Sequence, residues 1–286
     1  MNLAVGFFDG VHAGHQRILD GADSVFTFIN HPDTVLDPDN APPLLMDLDE
    51  RIRCLETAGL HGSVPRKVFA VEFTRDLAQC PPLRFAELLR SEHPSLSRIH
   101  CGANWRFGAR GAGTPETLRG MGFDVKVVPY ATYRGERISS TRIRETLMNG
   151  CVEDANAMLG RRFSVTGRVF RGKGVAHGLG VATVNVAVSA PLRLGVYAVG
   201  TSLGYGVANY GVAPTMGADA WTAPVLEIHL LDTGRTAEFS VPQVLRTEFH
   251  SFIRPEMKFA SVSALKCQMA EDVAAVRRIF RQGNPD

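Results

Sequence analysis

The segment at residues 6–15, Gly-Phe-Phe-Asp-Gly-Val-His-Ala-Gly-His, constrains the fold more than any other part of the chain. An apolar run at residues 3–8 predicts a buried strand, and the apolar spacing of residues 15–19 predicts the start of a helix. A strand that passes through a glycine-rich turn into a helix is typical of a parallel α/β sheet. We expect a phosphate site at this turn, because a helix start presents unpaired backbone N–H groups to an anion.

Two histidines lie three positions apart in this turn. His12 and His15 are expected on one face of the first helical turn. An imidazole can hydrogen-bond a phosphate oxygen and stabilise the negative charge that develops on it, which favours phosphoryl or nucleotidyl transfer. The other candidate phosphate-binding residues of the turn are Gly6, Phe8, Asp9, Gly10 and Gly14. A purely structural turn that carries exposed histidines is the alternative.

The first half of the chain alternates short β-rich runs with helical patterns, which favours a parallel sheet with crossover helices. Strands are predicted at residues 24–28, 67–73, 97–101 and 123–128, and helices at 48–57, 84–89 and 114–119. Ligands of such sheets bind at the carboxyl ends of the strands. His31, which Pro32 restricts to an extended conformation, and Asn104 both follow predicted strands and are candidate ligand-binding residues.

Residues 138–144, Ile-Ser-Ser-Thr-Arg-Ile-Arg, form a second candidate phosphate site. Hydroxyl groups at a helix start cap its backbone, and arginine supplies a planar cation for phosphate oxygens. The candidates in this segment are Ser139, Ser140, Thr141, Arg142 and Arg144. A well-capped surface helix is the alternative.

Composition excludes several classes of protein. The 286 residues are 45% hydrophobic and 21% charged, which is an ordinary balance for a globular chain. A net charge of +2 does not indicate the strongly basic surface that is typical of nucleic-acid-binding proteins. No apolar stretch approaches the length of a membrane span. The five cysteines are scattered without metal-binding spacing, which argues against a secreted disulfide scaffold. We therefore expect a cytoplasmic protein that binds neither nucleic acid nor membranes.

The pattern changes after Gly150, where a short helix at residues 152–159 precedes brief alternating runs separated by glycines. Strands are predicted at residues 164–170, 195–201, 225–231 and 245–249, and a closing helix at 262–280. This order predicts a small antiparallel β-barrel with a C-terminal helix. The boundary should fall near residues 150–162, and we expect domains at 1–158 and 159–286.

The predicted strand at residues 225–231 carries two polar side chains on one face. Strand alternation places Glu227 and His229 opposite Leu226, Ile228 and Leu230. From the residues alone, a solvated, outward-facing glutamate is the simplest interpretation of Glu227.

The motifs of the first half occur in the same order as in the prokaryotic bifunctional riboflavin kinase/FAD synthetases, and the chain resembles that family. The resemblance implies a nucleotidylyltransferase-like Rossmann-type domain that transfers AMP from ATP to FMN and releases pyrophosphate. It further implies that His12 and His15 contact the ATP phosphates, that residues 139–144 bind phosphate with Arg142 in a catalytic role, and that His31 and Asn104 contact the flavin.

The second half resembles the riboflavin kinase module of the same family through residues 172–185, 195–198, 209–215, 226–230 and 252–259. That module transfers the γ-phosphoryl group of ATP to the 5′-hydroxyl of riboflavin with Mg²⁺. The resemblance implies that Thr183 and Asn185 serve the metal and that Glu227 is the general base. It also implies a phosphate loop and a flavin contact, formed by Gly172, Lys173, Gly174 and Gly180, and by Arg254.

Some residues of the second half differ from the family pattern. Ala182 and Val184 replace the proline and alanine of a Pro-Thr-Ala-Asn motif, and Ala213 replaces an arginine. Two alternatives therefore stay open: an FMN adenylyltransferase with a decayed, flavin-binding kinase domain, and a non-enzymatic flavin-binding regulatory protein. The expected partners are ATP, riboflavin and FMN, with FAD as the product, and the expected state is a monomer or a weak homo-oligomer.

Overall fold

The structure is a computed structural model, and it describes residues 1–59, 64–170, 183–212, 224–231 and 242–282. The chain divides into two compact units, residues 1–142 and 143–286. The first unit is an α/β domain and the second is built on an antiparallel barrel, as the sequence predicts.

The strands of the first unit are β1 (Asn2–Val5), β2 (Ser24–Phe28), β3 (Lys67–Val71), β4 (Arg98–Gly102), β5 (Asp124–Val128), β6 (Thr132–Tyr133) and β7 (Glu136–Arg137). Its helices are α1 (Ala13–Leu19), α2 (Asp33–Leu36), α3 (Leu48–Thr57), α4 (Arg75–Gln79), α5 (Pro82–Glu92) and α6 (Pro115–Gly120), with short 3-10 turns at Pro38–Asn40 and Ala109–Gly111. Helix α7 (Ser140–Met148) begins at the end of this unit.

Five parallel strands form the central sheet in the order β3-β2-β1-β4-β5. Successive residues of β1 point to opposite faces of the sheet, and both faces are buried. Leu3 and Val5 belong to the hydrophobic cluster of Phe85 on α5, whereas Ala4 belongs to that of Leu19 on α1. A sheet covered on both faces needs such continuous apolar strands. The strand order reverses between β1 and β4, so a ligand crevice is expected at their carboxyl ends.

The first strand is shorter than predicted. It ends at Val5, and the apolar residues that follow belong to the turn. Phe8 is 2% exposed but has a positive φ of 59°, so its ring is buried from a conformation that no strand allows. The hydrophobicity of the segment therefore reports burial rather than strand extent.

The second unit contains α8 (Val152–Leu159), β8 (Phe163–Phe170), β9 (Thr183–Ala187), β10 (Gly195–Thr201), β11 (Gly204–Val212), β12 (Pro224–Leu230), β13 (Val244–Pro255) and α9 (Val262–Gln282). Six strands close into a barrel in the order β10-β11-β12-β9-β8-β13, and every pairing is antiparallel. Four of them match predicted strands, whereas β9 and β11 were not predicted.

Helix α8 is hydrogen-bonded to the barrel. The Asn156 side chain donates to the carbonyl of Phe249 at 2.9 Å and accepts from the backbone N–H of Phe163 at 2.6 Å. Both bonds lie within residues 143–286, so α8 is packed as part of the second unit.

Candidate functional site

The turn between β1 and α1 has an unusual backbone. Phe8, Gly10 and Val11 all have positive φ, at 59°, 81° and 39°. Such a conformation costs free energy at residues other than glycine, and strained residues of this kind cluster at functional sites. The Val11 N–H closes the turn by donating to the Phe8 carbonyl at 3.0 Å, which delivers His12 to the start of α1.

His12 caps α1. Its Nδ1 accepts a hydrogen bond from the His15 backbone N–H at 3.2 Å, and its ring is buried. Because Nδ1 is the acceptor, the neutral ring carries its hydrogen on Nε2 and offers a donor there. The two histidine rings stack with their centroids 3.6 Å apart, which confirms that they share one face.

Small and apolar neighbours hold this pair in place. A Cβ at Gly14 would lie 3.1 Å from Cε1 of His12, so any side chain at position 14 would press on that ring. The Phe8 ring meets the His15 ring edge-on at 5.2 Å. The two candidates Gly14 and Phe8 therefore shape the position of the imidazoles.

Asp9 ties the turn to two distant segments. Its buried carboxylate accepts from the Leu45 N–H through both oxygens, at 3.0 and 3.1 Å. Its backbone carbonyl accepts from the Oγ of Ser140 at 2.9 Å. The structure thus brings together the two candidate phosphate segments, residues 6–15 and 139–142.

The start of α7 is capped by a hydroxyl, because Ser139 Oγ accepts from the Arg142 N–H at 3.2 Å. The Arg142 guanidinium donates to backbone carbonyls of the β6–β7 hairpin and forms an ion pair with Glu136 at 3.3 Å. Thr141 is exposed, whereas Arg144 on the same helix is 6% exposed.

The remaining candidates of the first unit follow β2 and β4. His31 Nδ1 accepts from the Asp33 N–H at 3.1 Å, and its ring meets Phe7 edge-on at 4.7 Å. Asn104 is exposed just after β4. The aromatic residues beside it, Trp105 and Phe107, stack on each other at 4.9 Å and pack into the core.

Arg51 is a buried cation of this region that the sequence reasoning missed. It is fully buried, its Nη2 donates to the carbonyls of Phe28 and Ile29 at 2.6 and 2.8 Å, and its guanidinium lies 4.1 Å over the Phe7 ring. Burial lowers the pKa of Arg51, and the charge of Asp9 opposes that shift. The signal was the helical spacing of residues 48, 51 and 55, which puts Arg51 on the core face of α3.

In the second unit, the register of three strands aligns the predicted residues. Glu227 on β12 lies opposite Asn185 on β9 and Asn209 on β11. His229 lies opposite Thr183, and its Nδ1 is 3.1 Å from the Thr183 Oγ1. Directly opposite residues share a face of the sheet, so these side chains form one polar row.

The intervening residues form the opposite, inner face of the barrel. Val184, Leu226 and Ile228 are buried at 2% exposure or less, whereas Glu227 is exposed. The predicted alternation is therefore confirmed. Burial lowers the pKa of His229, which keeps its ring neutral at pH 7.

Arg254 lies on β13 and is engaged with α9. Its Nε and Nη2 donate to the two carboxylate oxygens of Asp272 at 2.9 and 2.8 Å, and Asp272 is 4% exposed. The predicted phosphate loop, with Gly172, Lys173, Gly174 and Gly180, lies outside the described residues.

Two family profiles match the chain in succession. The profile described as FAD synthetase matches residues 1–142, and the one described as riboflavin kinase matches residues 159–280. Within the described ranges, no helix is long and apolar enough to cross a membrane.

Curated relatives match nearly the whole chain. The bifunctional riboflavin kinase/FMN adenylyltransferase of Escherichia coli K12 is 33% identical over 99% of this chain and 94% of its own length. The enzyme of that name from Haemophilus influenzae is 32% identical over 97% of this chain and 94% of its own length, and that from Bacillus subtilis is 29% identical over 97% and 92%.

A solved structure supports the same fold. A crystal structure described as a macrolide-efflux protein from Streptococcus pneumoniae superposes with a TM-score of 0.78 at 24% identity, covering 96% of this chain and 93% of that one. At that identity the likeness concerns the fold alone. From the full-length relatives and the two successive profiles, the chain belongs to the bifunctional riboflavin kinase/FMN adenylyltransferase family, with an FAD synthetase domain followed by a riboflavin kinase domain.

Proposed function

We propose that this chain makes FAD from riboflavin with two separate sites. The barrel transfers the γ-phosphoryl group of ATP to riboflavin, giving FMN and ADP, and the α/β domain transfers AMP from a second ATP to FMN, giving FAD and pyrophosphate. The observation that carries the proposal is the polar row of the barrel, where Thr183, Asn185 and Glu227 share one face. That row supports an active kinase half despite the changed motif around it.

In the kinase step, the 5′-hydroxyl oxygen of riboflavin attacks the γ-phosphorus of ATP and ADP leaves. Glu227 accepts the hydroxyl proton as this bond forms, a role that requires a carboxylate accessible to substrate. Its side chain is exposed on the outer face of β12, which is compatible with that role.

Thr183 and Asn185 are the proposed Mg²⁺ ligands. Mg²⁺ prefers oxygen donors, keeps several waters, and is held by few protein groups when it is bound together with nucleotide phosphates. A threonine hydroxyl and an asparagine carbonyl oxygen on one strand face fit this preference. Among the described residues there is no group of three or more His, Cys, Asp or Glu that could hold a metal. The bound ion would neutralise charge on the transferring phosphoryl group.

In the adenylyl step, a phosphate oxygen of FMN attacks the α-phosphorus of ATP and pyrophosphate leaves. His12 donates from Nε2 to a phosphate oxygen, and His15 stacks against it and stabilises its orientation. The proposed phosphate environment is completed by two sets of residues. One is the turn residues Gly6, Asp9, Gly10 and Gly14, and the other is the capping residue Ser139 with Ser140, Thr141, Arg142 and Arg144 of α7. The Ser140–Asp9 hydrogen bond supports this grouping for the two segments that it joins.

Both Nη groups of Arg142 donate to hairpin carbonyls, so these two groups would have to change partners to donate to phosphate. His31 and Asn104 are the proposed flavin contacts of the first domain, at the ends of β2 and β4. Arg254 is the proposed flavin contact of the second domain, and its pairing with Asp272 leaves only part of the guanidinium for a ligand.

We further propose functional domains at residues 1–158 and 159–286. The cytoplasm is the proposed compartment, because the five cysteines are scattered without the spacing of a secreted disulfide scaffold.

The test offers purified protein ATP and Mg²⁺ with riboflavin in one reaction and FMN in another, and separates the flavins over time. FAD in both reactions, with transient FMN in the first, is the expected result. FAD from FMN alone would show a decayed kinase half. Flavin binding without any product would favour the regulatory protein.

A further inference from the structure

His229 has no role in the proposed kinase chemistry so far, yet its position is specific. Its Nδ1 lies 3.1 Å from Oγ1 of Thr183, across the β9–β12 ladder. His229 is half-buried, and so is Thr183. The contact is therefore partly shielded from water, where a hydrogen bond orients its partners more firmly than at an exposed surface.

The pair lies one step along the ladder from the Asn185–Glu227 pair. Both strands advance by two residues between the pairs, so all four side chains lie on the outer face of the barrel. A residue at this place can act on the proposed metal ligand without touching the substrate itself.

The chemistry of a hydroxyl ligand explains why such a neighbour matters. A threonine hydroxyl binds a cation through a lone pair, so its hydrogen must point away from the metal. A hydrogen-bond acceptor on the side of the hydroxyl that faces away from the metal fixes the direction of its hydrogen. Residues outside the metal's own ligands orient the ligands of many metal sites in this way.

We propose that His229 is a positioning residue for the kinase reaction: its Nδ1 accepts the hydroxyl hydrogen of Thr183 and thereby directs an oxygen lone pair towards the metal. This inference rests on the proposed function, because it takes Thr183 as a ligand of the metal–nucleotide complex. His229 itself contacts neither the metal nor the transferred group.

Three substitutions at position 229 separate this role from simple packing. His229→Asn keeps an acceptor near the place of Nδ1, His229→Gln moves the polar group to the place of Nε2, and His229→Leu removes it. The inference predicts that the Asn variant still orients Thr183 for metal binding and that the Gln and Leu variants do not. A packing role predicts no such preference for Asn over Gln.

The readout is Mn²⁺ binding to the full chain in the presence of ADP and FMN, measured by electron paramagnetic resonance. We expect His229→Leu and His229→Gln to weaken Mn²⁺ binding at the kinase site by roughly 10–100-fold, as is usual when the outer partner of a ligand is lost. His229→Asn should stay within about threefold of the unsubstituted protein. FAD formation from FMN should not change in any of the three, which reports that the first domain is intact. Thermal unfolding of each variant should match that of the unsubstituted protein, which reports that the barrel is folded.

Thr183→Val supplies the coupling test. If His229 acts through Thr183, His229→Leu should add little to the loss that Thr183→Val already causes. The inference would be overturned if the Asn and Gln variants bound Mn²⁺ equally well, or if the effects of His229→Leu and Thr183→Val were fully additive. In either case, riboflavin phosphorylation by the unsubstituted protein would still support the proposed function. If the unsubstituted protein made no FMN and its ADP complex bound no Mn²⁺ at the kinase site, both the role of His229 and the proposed kinase function would be rejected.

Discussion

The Oγ hydroxyl of Ser140 donates a 2.9 Å hydrogen bond to the backbone carbonyl of Asp9, across 131 positions of sequence. This bond joins the turn that carries the two histidines to the first residue of α7. It holds two segments far apart in the chain next to each other, so the loss of Ser140 should disturb the histidine turn.

Replacing Ser140 with alanine should lower the rate of FAD formation from FMN by about tenfold or more, because small displacements of catalytic groups are costly. Stability should fall by only about 1 kcal/mol, the usual cost of one lost hydrogen bond. Flavin separation gives the rate and thermal unfolding gives the stability. Ser140→Thr keeps the hydroxyl and serves as the matched control. An alanine variant as fast as the unsubstituted protein would show that the bond does not position the turn.

Replacing His12 tests the phosphate role. Asparagine at this position retains a cap for α1, whereas alanine removes both cap and imidazole. Both variants should lose at least about a hundredfold in FAD formation, because the donor to phosphate is gone. FMN formation from riboflavin should stay within about twofold, since His12 belongs to the other domain. Recovery of FAD formation in His12→Asn would assign His12 to capping alone.

Replacing Glu227 with glutamine should give the reverse pattern. FMN formation should fall on the order of a hundredfold to ten-thousandfold, because a positioned general base is lost. FAD formation from added FMN should persist. The matched control is Glu248→Gln, on the same barrel but in β13. Loss of both activities from Glu227→Gln in a folded protein would contradict the two-site proposal.

Arg66 should be important for the stability of the first domain. Its guanidinium is buried and donates to four backbone carbonyls, those of Leu19, Ala22, Leu55 and Ala58. Arg66→Met leaves these carbonyls without their donor, and we expect a loss of roughly 2–4 kcal/mol. The exposed Arg17→Met is the control and should change stability by less than about 0.5 kcal/mol. Urea unfolding measures both.

His250 should make the second domain sensitive to acid. Burial, aided by Arg162 and opposed by Glu248, lowers the pKa of His250 to about 4 from 6.5. The unfolded chain then binds more protons between these values, so the stability present above pH 6.5 is lost as the pH falls towards 4. Allowing for partial exposure of the ring, we expect a loss of about 1 kcal/mol between pH 7 and pH 5.

The variant His250→Phe isolates this contribution, because phenylalanine can keep the contact with the Phe280 ring, whose centroid is 4.4 Å away. Its stability should change less between pH 7 and pH 5 than that of the unsubstituted protein. Thermal unfolding at both pH values measures the difference. Identical pH dependence of the two proteins would show that His250 does not titrate on unfolding.

Several elements could be predicted from local pattern. The predicted bounds of α3, α8 and β10 agree with the structure, as do the parallel sheet and the barrel with its closing helix. Each of these elements has a clear apolar period or is bounded by turn residues, so its signal is contained in its own sequence. The positions of His12, His31 and Asn104 after strands followed from the same signals.

Other features depend on partners that local pattern does not reveal. Strand β11 is rich in glycine, and a Cβ at Gly206 would lie 2.4 Å from the carbonyl of His229, so the close approach of β12 explains a residue that local propensity disfavours in strands. Arg51 and Arg66 are buried because distant backbone carbonyls accept from them. Arg254 pairs with Asp272 on another element.

The amino-acid sequence alone was sufficient for the fold class, the family and the candidate residues, because hydrophobic period, turn chemistry and motif order are local properties. The tertiary structure decided which candidates meet: Ser140 with Asp9, Glu227 with Asn185, and His229 with Thr183. Strand register and long-range hydrogen bonds set those contacts. They arise from packing between segments far apart in the chain, which no local pattern specifies.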